Sequence, residues 1–139
     1  MSWRVAIRYL VFMAIANLVW ELAQLPFYTI WTAGNPREIS VAILHCTAGD
    51  VLIATTTLLI ALVCFGRRTA WVVGATVAMG LFYTMWSEYV HAVIGTDWAY
   101  APLMPLLPVL GIGLLPLAQW LVIPAIALWL ANRNPSDQQ

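Results

Sequence analysis

Apolar residues run through this chain in long stretches, separated by short segments rich in Gly, Pro, Asn and Arg. The first stretch covers about 5–31 and stops at Gly34-Asn35-Pro36, a strong helix breaker. The second covers about 41–65, with Ser40 as the candidate N-cap, and ends at Gly66-Arg67-Arg68-Thr69. The third covers about 70–94 and is closed by Gly95. A proline-rich connection, Thr96 to Pro108, leads into the fourth, about 108–131, which Asn132-Arg133-Asn134-Pro135 terminates. A bilayer core of about 30 Å needs about 20 apolar helical residues, and each stretch supplies them. The pattern predicts an all-α protein: one integral membrane domain over 1–139, built as a four-helix bundle.

Charge sets the expected orientation. Arg4, Arg8, Arg67, Arg68 and Arg133 fall at one end of such a bundle, and Arg37 alone at the other. The positive-inside rule makes the arginine-rich end, with both termini, cytoplasmic. Brief loops suggest a bacterial inner membrane. Arg4, Arg8 and Ala14-Ile15-Ala16 outline a signal peptide, but the apolar run continues past them, so the segment reads as the first helix. The third connection, with Trp98 and Tyr100, then faces outward. Pro102, Pro105, Pro108 and Pro116 stiffen it, either as a cap over the bundle or as a re-entry turn, with the turn favoured.

Composition removes the soluble alternative. The chain is 63% hydrophobic and 9% charged, with no lysine, and its mean hydropathy is +0.85. A typical soluble domain is about half apolar and a quarter charged. A formal net charge of +0 offers no basic face to nucleic acid. Cys46 and Cys64 share one helix, roughly 27 Å apart at 1.5 Å per residue, and cannot pair with each other.

Against this background five ionisable residues stand inside the spans: Glu21, His45, Asp50, Glu88 and His91. Three acids at helix centres would cost on the order of 8–10 kcal/mol on insertion scales, so they must face one another or a wet cavity. Helical spacing gathers them. Asn17, Glu21, Gln24 and Tyr28 form one stripe, and Thr84, Glu88 and His91 another. Asp50 shares a face with Cys46 and Thr57, while His45 sits about 100° or more around the helix. Counting residues along the helices puts Asp50 and Gln119 near mid-membrane and His45 and His91 nearer the outer surface. The expectation is an outward-facing pocket with its floor at Asp50 and Gln119.

Three chemistries fit such a cluster. The first is acid–base work on a hydrophobic, lipid-like ligand, with no cofactor. A carboxyl in a low-dielectric pocket favours its neutral form and can donate a proton, which a second carboxylate or a histidine takes up elsewhere. Glu21, Asp50, Glu88 and His91 are the catalytic candidates. Asn17, Trp20, Gln24, Tyr28, Thr84, Trp86, Gln119 and Trp120 would bind the ligand, the tryptophans through their π-faces. The second is a metal ion held by Glu21, His45, Asp50, Glu88 and His91, since Glu88-Tyr89-Val90-His91 is an E-x-x-H, or a haem between His45 and His91. The third is assembly, as a homo-oligomer or as a small subunit of a larger membrane complex. A proton channel fits less well, because the polar stripe stops halfway across.

Two segments carry a family likeness. Asn17-Leu18-Val19-Trp20-Glu21-Leu22-Ala23-Gln24-Leu25-Pro26-Phe27 and Ala118-Gln119-Trp120-Leu121-Val122-Ile123-Pro124 resemble helices of the EXPERA group, which includes the emopamil-binding sterol isomerase and the sigma-two receptor. The resemblance covers about a quarter of the chain, and the loops do not share it. It implies a compact helical bundle with an acid-lined pocket for sterols or cationic amphiphiles. Asp50 would match the acid of the second pocket helix, and Trp120 the tryptophan ahead of a proline.

Overall fold

The computed structural model describes residues 3–66 and 68–133. Arg67, from the charge argument, and the Asn134-Pro135 stop lie outside the described residues. Helix α1 spans Trp3–Gln24. The helix expected to run unbroken to residue 31 breaks here instead. Pro26 lacks an N–H and disfavours helical backbone at Leu25, so the chain tightens into a 3₁₀ turn over Leu25–Phe27. Tyr28 is extended, and a four-residue helix α2, Ile30–Ala33, follows.

Helix α3, Pro36–Phe65, starts five residues earlier than the expected Val41. Asn35, not Ser40, is its cap. The Asn35 side-chain oxygen accepts from the N–H groups of Arg37 and Glu38, each at 3.0 Å, and Glu38 accepts in return from the Asn35 N–H at 2.9 Å. That is a capping box with proline at the first helical position, where its missing N–H does no harm. The Ser40 hydroxyl instead donates to the Pro36 carbonyl at 2.8 Å.

Helix α4 spans Thr69–Glu88 and continues as a π-helical turn over Tyr89–Ile94. Helix α5 spans Leu114–Ala131, beginning six residues after the expected Pro108. Helix α1 packs on α3 and α5, and α4 packs on the same two, which closes a four-membered ring. These four helical segments are long and apolar enough to cross a membrane. Their outward faces agree: Val63 is 86% exposed and Phe82 74%. Such apolar surface is stable in lipid and a liability in water. At the end bearing the termini, Trp3, Trp71 and Trp129 are exposed, and the Arg133 guanidinium lies 3.5 Å from the Trp129 ring centroid. Aromatic rings with arginine suit a membrane–water boundary.

The half of the ring nearer the termini is packed solid with Val5, Tyr9 and Met13 from α1, Ala54, Leu58 and Ala61 from α3, Val72 from α4, and Ile123, Ala127 and Leu128 from α5. Trp120 is the upper boundary of this core, 1% exposed and seated on Gly80. A Cβ at Gly80 would fall 2.1 Å from the Trp120 ring, so only glycine lets α4 carry the indole there.

At the opposite end the third connection folds back over the bundle as a cap, not as the plain turn that was favoured. Ala101 N–H donates to Phe27 O at 2.9 Å and Thr29 N–H to Ala99 O at 3.0 Å, an antiparallel pairing of Tyr28 with Tyr100. The Pro26 break thus has a structural use, because it exposes the extended backbone to which the cap is pinned.

Candidate functional site

Between the packed half and the cap lies a cavity of about 1170 Å³. It is slightly larger than the usual range of about 300–1,000 Å³ for small-molecule sites. Its polar wall has two tiers.

The floor is held by side chains from α1, α3 and α5. Gln119 Nε2 donates to Asn17 Oδ1 and to Asp50 Oδ2, both at 2.8 Å, and lies 3.4 Å from Glu21 Oε1. One amide nitrogen carries two protons, so the two short contacts are its real bonds and Glu21 depends on another donor. Gln24 is that donor, at 2.9 Å, and Trp20 Nε1 donates to Gln24 Oε1 at 3.1 Å. On α1, Trp20, Gln24 and Glu21 therefore form one hydrogen-bonded string, and Asn17 is tied to the floor through Gln119. The Trp120 indole also faces Asp50. Asn17 is fully buried, yet its Nδ2 has no partner, an orphaned donor next to the floor carboxylates.

The mouth is built by α4, its π-helical turn and the cap. The Tyr100 hydroxyl donates to the buried Glu88 carboxylate. His91 Nδ1 and Asp97 Oδ2 are 2.6 Å apart, and the His91 ring stacks on Trp98 at a centroid distance of 4.9 Å. The Trp98 indole N–H lies near Glu88 without making a hydrogen bond. Tyr28 and Tyr100 pack ring against ring at 5.6 Å. Burial and the neighbouring Glu88 carboxylate hold both phenols above their ordinary range, so both are neutral hydroxyls at any physiological pH.

The cavity wall includes Glu21, Gln24, Tyr28, His45, Asp50, Thr84, Glu88, His91, Gln119 and Trp120 from the residues singled out in the sequence. Asn17 lies behind that wall and reaches it through Gln119. Trp20 acts only through Gln24. Trp86 is not at the site: it is 53% exposed on the outer face of α4 and packs against Tyr83. Its neighbours on the wall are Ser87 and Glu88, one and two positions on, which places the Trp86 ring on the lipid side.

The expected metal set is not assembled. Among the described residues no three His, Cys, Asp or Glu side chains converge in a way that could hold an ion. Glu88 and His91, the E-x-x-H pair, are turned to separate partners, Tyr100 and Asp97. Asp97, Trp98 and Tyr100 were not singled out as site residues. Their signal was the stiffness of the proline-rich connection, which gave no register for folding it back. Cys46 and Cys64 are both free thiols, as their separation on α3 requires.

No protein-family model matches the chain, and no curated protein or solved structure matches it at significant similarity.

Proposed function

We propose that this protein binds a hydrophobic, lipid-like molecule by its polar end and carries out acid–base chemistry on it, in the manner of an isomerase. One observation carries the reading: carboxyl groups from three helices, Glu21, Asp50 and Glu88, share one cavity large enough for an amphiphile. A carboxyl that is neutral can protonate a ligand, and a second one that is ionised can remove a proton elsewhere. Asp50, held by Gln119, and Glu21, held by Gln24, form the acid–base pair at the floor. Glu88 supplies the third carboxyl near the mouth, with His91 passing protons to the aqueous side. The likeness of segments 17–27 and 118–124 to the EXPERA group supports the same kind of ligand.

Arginine placement supports an orientation with the termini in the cytoplasm and the mouth opening outward, in a bacterial inner membrane. Mass spectrometry of lipids extracted from protein in nanodiscs tests the proposal. A hydrophobic molecule enriched near one per chain in the wild type, and depleted in Asp50→Asn, is the expected result. A lipid profile identical to the bulk membrane would sink it, as would a stoichiometric metal in elemental analysis or a haem absorption band.

A further inference from the structure

We infer that the hairpin 102–113, beyond the cap, is inserted into the membrane interface, so that this protein meets lipid through a fifth, non-helical element. Length is the first sign. Helix α5 has 18 residues, about 27 Å at 1.5 Å per residue, against a hydrocarbon core of about 30 Å. Its far end is fixed near one boundary by Trp129 and Arg133. Leu114 then stands just short of the other boundary, and the hairpin is tied to it there, with Leu114 N–H donating to Pro105 O at 2.8 Å.

The hairpin has the composition that depth requires. From Trp98 to Asn132 the chain carries no Asp, Glu, Lys, Arg or His. Leu103 is 72% exposed and Val109, at the tip, 103%. They extend the apolar outer face of the bundle without a polar break. Pro102, Pro105 and Pro108 have no N–H, those of Met104, Leu107 and Gly111 are bonded internally, and those of Leu103, Leu106, Val109, Leu110 and Ile112 have no internal backbone partner. Unmet amides are intolerable in hydrocarbon but acceptable among hydrated headgroups. The hairpin therefore belongs at the interface and not deeper.

Val109 adds an independent sign. It is a β-branched residue at φ 76°, where such side chains are rarely found. A glycine would remove the strain, and a polar residue would suit water. An apolar, strained and fully projecting side chain is accounted for by an apolar phase to receive it. A protein partner could bury the same side chains, but the short α5 would then have no reason.

The test uses full-length protein in nanodiscs, with Cys46→Ser and Cys64→Ser as background and single cysteines at Val109, Leu103 or Thr96. Val109→Cys and Leu103→Cys should react with a charged maleimide roughly tenfold more slowly than Thr96→Cys, on the exposed part of the same connection. An environment-sensitive dye at Val109→Cys should be quenched by lipids with a nitroxide near the headgroup, more strongly than by one near the acyl terminus. Equal reactivity at the three positions would overturn the inference. So would protection from maleimide without quenching by lipid, which would show a second copy of the chain covering the hairpin.

Discussion

The two tiers of the cavity are held in different ways. Floor contacts join residues far apart in sequence, Gln119 to Asn17 and to Asp50, through side chains on rigid helices. Mouth contacts join near neighbours, Glu88 to Tyr100 and His91 to Asp97, through a connection that is itself pinned by backbone pairing. A floor contact cannot be lost without disturbing the packing of the bundle. A mouth contact can open while the helices stay in place. The floor is therefore bound up with stability, whereas the mouth is separable from it.

Substitutions should reveal that difference in graded form. Gly80→Val should act most severely, because its side chain would occupy the space of the Trp120 ring that closes the floor. Overpacking costs about 1–3 kcal/mol where the neighbours can give, and more where, as here, the Cβ alone would fall 2.1 Å from a buried ring. The expected outcome is a marked fall in thermal stability in detergent together with loss of bound lipid; an unchanged melting curve would break the claim that floor and fold are one unit.

Gln119→Leu should come next. It keeps the approximate volume but leaves Asp50 and Asn17 buried without their shared donor. Each orphaned group costs about 1–3 kcal/mol, so chemical unfolding should register a clear loss, larger than that of any mouth variant. Gln119→Glu would be a sharper probe, because it restores shape while replacing the donating amide.

Tyr100→Phe should separate the tiers. It removes the hydroxyl from Glu88 and leaves the ring packing on Tyr28. One buried carboxyl loses its donor, so stability should fall by about 1–2 kcal/mol, less than the loss in Gln119→Leu, while ligand exchange, followed by release of a fluorescent lipid, accelerates. Its pH dependence has a definite sign. The phenol is held above its ordinary range in the folded protein, so its contribution is complete below about pH 10 and is lost as pH rises through the folded value. An ultraviolet titration should therefore show Tyr100 un-ionised past the point where exposed tyrosines have titrated, and Tyr100→Phe should lower the amplitude of that late step without abolishing it, because Tyr28 is held up as well.

The smallest effect belongs to Asp97→Asn. The His91–Asp97 pair is largely exposed, with side-chain exposures of 38% and 63%, and such pairs contribute about 0–1 kcal/mol. Stability should hardly change; a large loss would mean that the mouth is as firmly built into the fold as the floor.

What the sequence made legible follows the same division. Spans and stripes are periodic, and periodicity located Glu21, Asp50, Glu88 and Gln119 on faces that do meet. Three features escaped it. Pro36 was read as a breaker although Asn35 and Glu38 carried the capping-box spacing beside it, and a proline at the first position of a helix starts it. The apolar run 108–113 was read as helix because hydropathy does not distinguish a lipid-facing hairpin from a helical turn. Trp86 was placed in the pocket by proximity to Glu88, whereas two positions along a helix turn a side chain by about 200°. Tyr100 depended on a fold-back of the chain that no local pattern encodes.

The π-helical turn at Tyr89–Ile94 has a consequence for how this chain tolerates changes in length. Gly95 N–H reaches back five residues to Val90 O at 2.8 Å, so the turn holds one residue more than an α-helix would. Deleting a single residue there would let the backbone relax into regular winding, which takes up the loss and leaves Asp97, Trp98 and Tyr100 facing much as before. A deletion in the regular part of α4 has no such reserve, so everything beyond it would rotate by about 100° and those three side chains would leave the cavity together. The turn is thus the place where the third span can lose a residue, and a deletion in 69–88 should count for more than one in 89–94.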